Sequence, residues 1–520
     1  MPVVTFGHPG FEITPSIAEK MGVKAESRFD FPTAKVAHRD KLVGFERDLI
    51  PRVENFSVNL RSSSSDNKVH LAFSDSAGSV VDAVVTGDWG GYAVHPAVAD
   101  LDVDGVVHWI LDPYKFVETA LNLEGVPMPD VSTENGKRLF LAHIDGDALP
   151  SWAEMPGRKL GAEVIKERIL EPYKLPHTIS VVVGEMTGFP QYEDRIEKMY
   201  QVAQDIFAMP NVEIATHTYS HPFKWQKVAD HKGSGKYNLK LDGYQFSAKQ
   251  EIYGSAEFID TKLAPPGKKT RVFLWSGDAL PTEDVIAEVY RSGMLNLNGG
   301  NTVIAGAKAS LSQMSPMVRM VGDYAQIYAP IMNENVFTND WTGPFDGFRR
   351  VIETLELSDK PRRIKPLNIY YHFYAGTKIA AIRSLEDIYA WTVTQDINPV
   401  YASDYSAKVS DFRKAGIGRY LDGTWKVTGL GNVRTLRVVD GNTFPDLSQS
   451  KHIAGARQLH DGIYIHTDGA DSMTFRMDKK EIALPHLVSS NGQVESWSQE
   501  GNSVKFRVTA NVPVVGRAWW

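Results

Sequence analysis

The strongest constraint on this chain is the regular alternation of strand-like and helix-like segments between about residues 137 and 400. Apolar, β-branched runs at 138–144, 178–183, 212–216, 271–275 and 368–373 read as buried strands. Helical periodicity lies between them at 158–173, 192–207, 248–263, 283–292, 345–357 and 385–391. In the first of these helices Leu160, Val164, Ile165 and Ile169 share one face. Strands joined by helical crossovers pair in parallel, so the expectation is an α/β fold in which 136–400 forms a (β/α) barrel, closed or incomplete.

The flanks follow other rules. At 520 residues the chain has room for about three domains. Residues 1–135 read as an α/β domain, Rossmann-like or amidotransferase-like, with short strands at 69–73 and 106–110. The glycine-rich stretch 87–92 lacks the G-x-G-x-x-G order and reads as a plain loop rather than a phosphate cradle. Residues 127–136, with two prolines and a polar Ser-Thr-Glu-Asn-Gly run, read as a linker. After about 400 the helical period fades, and alternating segments at 429–435, 462–466, 472–477 and 503–508 suggest a C-terminal β-sandwich over 401–520. Carbohydrate binding and plain stabilisation are both open roles for it.

Composition removes several functions. Apolar residues at 42% and charged residues at 23% exclude a disordered or fibrous chain. A net charge of -7 with no Lys/Arg-rich run argues against a nucleic-acid partner. The longest apolar stretches fall far short of the roughly 20 residues that cross a bilayer, and the N-terminus has no basic flank leading into an apolar core. There is no Cys, so thiol nucleophiles and thiolate metal sites are excluded, and any metal must be held by His, Asp or Glu.

Two clusters carry such residues. His143-Ile144-Asp145-Gly146-Asp147 ends the first strand of the alternating region, with both carboxylates pointing the same way and a glycine suited to a tight turn. His217-Thr218-Tyr219-Ser220-His221-Pro222 follows the strand at 212–216, and its histidines, four apart, would share one face of a helical turn. Each pattern alone is common in ordinary turns. Together they fall at the C-terminal ends of strands in one parallel unit, the edge where barrel active sites form. One carboxylate and two imidazoles make a sensible cation site, and the second carboxylate is then a spare base.

These motifs resemble the first two of the metal-dependent polysaccharide deacetylases of the carbohydrate esterase 4 type. The run 129–138 leading into His143–Asp147, with 217–225 after it, resembles more narrowly the PelA-type deacetylases, over about residues 70–400. The resemblance implies that Asp147, His217 and His221 hold a divalent ion, with Zn²⁺ first among candidates, and that Asp145 is the general base. It also implies a late-strand histidine as general acid. His372 fits that place, and would then sit on the side away from Asp145 across a sugar-sized gap. His143, inside its strand, reads as a packing or supporting residue.

There are departures. An Arg-x-Pro motif that would orient the base is absent: the region reads Phe273–Asp278, Arg271 lies too deep in its strand, and Trp275 and Asp278 are left as pocket-shaping residues. No acidic partner for His372 can be placed, and Glu185 is a possible contact to the sugar. The function implied is removal of N-acetyl groups from a Pel-like amino-sugar exopolysaccharide in the periplasm, alongside other exopolysaccharide-biosynthesis proteins; the chain would then be a mature or excised part of an exported protein. The alternatives are a non-catalytic polysaccharide-binding protein on the same fold, and a glycoside hydrolase with paired carboxylates, which leaves His217 and His221 without a role.

Overall fold

The computed structural model describes residues 2–26, 28–49, 57–187, 189–231, 235–439, 442–500 and 503–519. They form two compact units. The first holds residues up to Val126 together with Ile304–Met314, a segment expected to belong to the barrel. Its main sheet has five strands, and only Val3–Gly7 and Gly90–Val94 pair in parallel. The other pairings are antiparallel, so the Rossmann-like expectation is corrected. Residues 87–92 are the tight turn and start of a hairpin, Val80–Gly87 against Gly90–Val94, rather than a plain loop. A Cβ at Gly90 would lie 1.9 Å from the Val3 carbonyl oxygen, which explains the glycine.

The second unit contains 127–303 and 315 onward. Its parallel strands are β1 (Lys137–Asp145), β2 (His177–Ile179), β3 (Val212–Thr216), β4 (Val272–Leu274), β5 (Leu295–Leu297), β6 (Leu367–His372) and β7 (Ile397–Pro399). Their order is β5-β4-β3-β2-β1-β6, and β7 pairs with the start of β1. β1 is buried on both faces beyond Lys137, as expected of a central parallel strand. β2 is shorter than the expected 178–183, and the chain turns into the short helix α1 (Val183–Thr187).

The sheet is curled and open. In a flat sheet β5 and β1, four strands apart, would be separated by about 19 Å. Asn298, the residue after β5, instead hydrogen-bonds Asp145 at the end of β1 at 3.0 Å. The hairpin Val318–Val321/Tyr324–Ile327 lies beside β5, where Asn296 bonds the backbone of Ala325 and Ile327.

One core runs from the inside of the sheet (Leu139, Leu141, Leu274, Leu297) through Tyr405 and Val409 of α2 (Ala402–Phe412) into the C-terminal strands. Those strands supply five strands of a six-stranded sheet, a three-stranded sheet and two two-stranded pairs. The expected linker is folded: Met128–Asp130 joins the six-stranded sheet against Thr435–Arg437, and Thr133–Glu134 pairs with β1. Buried Glu134 is salt-bridged to Lys408 at 2.5 Å, a partner that the local sequence does not reveal.

Candidate active site

The curl brings the C-terminal ends of β1, β3, β4, β5 and β6 around one cavity of about 430 Å³, lined among others by Asp145, Asp147, His217, His221, Asn298 and His372. Trp275 and Asp278 line it as well. At Gly146, between the two aspartates, a Cβ would lie 2.5 Å from the Val181 backbone, so close strand packing rather than turn conformation requires the glycine.

His221 Nε2 lies 2.9 Å from Asp147 Oδ1, and His217 Nε2 lies 3.1 Å from Asp147 Oδ2. The histidines do not share a helical turn. Thr218 and His221 have φ of 72° and 50°, a left-handed conformation that bends the segment back. Buried Glu251 clamps this bend, accepting from the N–H groups of Tyr219 (2.9 Å) and Ser220 (2.8 Å), from the Ser220 hydroxyl (2.5 Å) and from Tyr244. The four donors draw its pKa down, but burial outweighs them and leaves it above the ordinary carboxylate value.

The ring proton of His217 Nδ1 goes to the Leu274 carbonyl at 3.1 Å, so in the neutral ring Nε2 is a lone pair facing an oxygen. Asp147 Oδ2 accordingly has no hydrogen-bond donor among the described residues. Burial opposes charge on both groups, yet the histidines hold Asp147 well below the usual carboxylate range, and Asp145 with Asp147 draws His217 upward. Three acceptors around an unfilled demand for positive charge fit a divalent cation. Asp145, Asp147 and His372 are also near enough to share one. That set offers one imidazole rather than two, and its His372 is held by Glu334, which with the two aspartates pushes it, against the effect of burial, up to about 10.

His372 corrects one expectation and answers another. Its Nε2 is 3.7 Å from Asp145 Oδ2, with no sugar-sized gap between them. The cause is register: Asp145 and His372 are paired residues on hydrogen-bonded parallel strands, so their side chains lie side by side. The missing acidic partner is Glu334, whose carboxylate accepts from His372 Nδ1 at 3.0 Å and from its backbone N–H at 2.8 Å. It sits 38 residues upstream as the first residue of a single 3-10 turn, Glu334–Val336, where no pattern marks it.

Asp145 accepts from Tyr370 Oη at 2.6 Å and from Asn298 Nδ2 at 3.0 Å to each oxygen. His143 Nε2 meets Asn298 Oδ1 at 3.0 Å, and its ring stacks on Tyr370 with centroids 4.1 Å apart. Burial lowers the His143 pKa to about 4, which keeps the ring neutral. Arg271 is exposed and 3.7 Å from Glu213, remote from the base. Glu185, on α1, has a buried carboxylate oxygen without a partner among the described residues; burial, then the charge of Asp147, raises its pKa well above the usual value.

No family model matches the sequence, and no curated protein does. Among solved structures, a CE4 family pseudoenzyme from Bacillus anthracis is similar at TM-score 0.30 and 13% identity, over 52% of this chain and 66% of its own. A 4-alpha-glucanotransferase from Thermococcus litoralis is similar at 0.33 and 11%, over 52% and 40%. A protein from Parabacteroides distasonis described as a glycoside hydrolase/deacetylase is similar at 0.33 and 11%, over 59% and 80%. Likeness at this level decides neither fold nor function. The geometry of the site has to carry the reading. No helix among the described residues is long and apolar enough to cross a membrane.

Proposed function

We propose that the chain is a metal-dependent hydrolase that removes N-acetyl groups from an amino-sugar exopolysaccharide. The observation that carries this reading is one cavity holding three things amide hydrolysis requires. These are a candidate cation site at Asp147, His217 and His221, a carboxylate at Asp145 held by Tyr370 and Asn298, and a histidine at His372 whose pKa is pushed up to about 10. A divalent ion held there, with Zn²⁺ favoured by the His/carboxylate donor set, supplies Lewis-acid polarisation of the acetyl carbonyl.

Asp145 takes a proton from the attacking water, with Tyr370 and Asn298 holding its carboxylate in place. An amide nitrogen leaves only when protonated, otherwise the tetrahedral intermediate collapses back to substrate. His372 Nε2–H gives that proton, and Glu334 fixes the ring by binding the opposite nitrogen. The cavity volume suits one acetylated hexosamine with part of its neighbour. A Pel-like polymer of N-acetylgalactosamine and N-acetylglucosamine, a periplasmic location and exopolysaccharide-biosynthesis partners rest on the sequence resemblance alone.

The test is acetate release from acetylated hexosamine oligomers. Release that a chelator abolishes and Zn²⁺ restores supports the reading. Oligomer binding without release, in the Zn²⁺-loaded protein, sinks it in favour of a polysaccharide-binding protein.

A further inference from the structure

Asp145 is buried, and a buried carboxylate needs hydrogen-bond donors that satisfy and aim it. Among the described residues no arginine or lysine is ion-paired with it. Its hydrogen-bond donors are the neutral Tyr370 Oη and Asn298 Nδ2, with His217 Nε2 at 3.6 Å and His372 Nε2 at 3.7 Å just beyond hydrogen-bond reach. Asn298 has two amide hydrogens, and its Nδ2 lies 3.0 Å from both Asp145 oxygens and 3.1 Å from the Trp275 carbonyl. Every acceptor on that side requires N–H. Rotating the amide by half a turn would set its oxygen against three others.

The opposite side of the amide fixes the same choice. Asn298 Oδ1 faces His143 Nε2 at 3.0 Å, and this contact holds only if Nε2 carries the ring proton. The tautomer is set one step further away. Asn368 Nδ2 lies 3.3 Å from His143 Nδ1 and 3.3 Å from the Leu141 carbonyl, so it donates to the ring and Nδ1 must accept. The result is a directed chain, Asn368 to His143 to Asn298 to Asp145, through neutral groups with exposures of 4% or less. The backbone at Asn298 has φ of 97°, a conformation that Asn and Gly tolerate and most residues avoid.

We infer that Asn298, latched by the Nε2–H tautomer of His143, is the positioning residue for the general base. Its role is to keep the Asp145 carboxylate turned toward the water rather than toward the cation beside it. The inference rests on the reading of Asp145 as base. His143 latches Asn298 by its Nε2–H, and its ring also stacks on Tyr370, which supplies the second hold.

The experiment compares Asn298→Gly, His143→Phe, His143→Gln and the double variant Asn298→Gly/His143→Phe with the wild type and Asp145→Asn. Glycine suits the φ at 298, phenylalanine keeps the stack on Tyr370, and glutamine restores an N–H near the position of Nε2. The expected result is a roughly 10²-fold fall in kcat for Asn298→Gly and about 10-fold for His143→Phe, with KM and bound Zn²⁺ unchanged. The double variant should be no slower than Asn298→Gly alone, and His143→Gln should recover most of the rate. In the metal-free protein, ¹⁵N spectra should show His143 as the Nε2–H tautomer near neutral pH, with that preference kept in Asn298→Gly because Asn368 still donates to Nδ1. Wild-type kcat in Asn298→Gly, additive losses in the double variant, or an Nδ1–H tautomer each overturns the inference. If Asp145→Asn itself turns over normally, the base assignment fails and takes the inference with it; a dead Asp145→Asn beside a fully active Asn298→Gly refutes only the positioning role.

Discussion

The two halves of the cavity are built in opposite ways. The cation half is local: His217 and His221 sit on one bend, clamped by the single carboxylate of Glu251, and meet Asp147 directly. The base half is distributed: Asp145 is held by residues 298 and 370, and behind them by 143 and 368, from two strands and the end of a third. The first half has ionised groups drawing one another's titration. The second uses neutral donors fixed by direction. A local charged cluster should fail all at once, whereas a directed neutral network should fail in steps.

The largest effect should come from the cation half. His217→Ala is expected to abolish both Zn²⁺ binding and acetate release, a loss of at least ~10³-fold read by metal analysis and turnover. Retention of either would mean that the bend does not hold the ion. His372→Ala, at the seam between the halves, should keep metal and oligomer binding yet slow turnover by roughly 10²–10⁴-fold and remove the alkaline limb of the pH–rate profile. That limb follows from the raised pKa: the charged form is the acid, and it is lost as pH climbs toward about 10.

Smaller changes sharpen the contrast. Glu251→Gln keeps the shape of the clamp but turns one acceptor into a donor against the Tyr219 and Ser220 N–H groups or the two hydroxyls. Zn²⁺ affinity, measured by competition with a chromophoric chelator, should weaken about 10–100-fold. An unchanged affinity would make the clamp a matter of folding alone.

The smallest effect is on stability in acid. His143 shares its neutrality with His177 and His466, all buried and lowered to about 4 mainly by desolvation. Their folded pKa lies below the unfolded value near 6.5, so the stability they contribute is complete above about pH 6.5 and falls away as pH drops toward 4. Each accounts for roughly 3 kcal/mol across that window. Urea midpoints measured from pH 7 to 4 should fall less steeply in His177→Gln, by about one proton's worth of slope. An unchanged slope would show that His177 is not held neutral.

The same contrast explains what could be read from the sequence. His143–Asp147 and His217–His221 are short runs at strand ends, so the residues proposed as cation donors and base are visible as residue types at fixed spacing. The parallel alternation was equally visible, because its period is local. Asn298, Glu334 and Tyr370 were not, since an asparagine after a short strand or a glutamate opening a single 3-10 turn has no distinguishing pattern until the sheet curls. The gap expected at His372 failed for a related reason: strand register, which sets Asp145 beside it, depends on pairing across more than two hundred residues. The supposed linker at 127–136 failed because its proline and polar residues suit a turn, while the strand partners that bury it lie near residue 435.

The division of labour between Asp145 and Asp147 tests the whole account most directly. Bound Zn²⁺ and acetate release should be measured on Asp145→Asn and Asp147→Asn side by side. The account predicts that Asp145→Asn retains one equivalent of Zn²⁺ and loses nearly all turnover, while Asp147→Asn loses both. Equal metal loss in the two variants, or turnover persisting in Asp145→Asn, would contradict it.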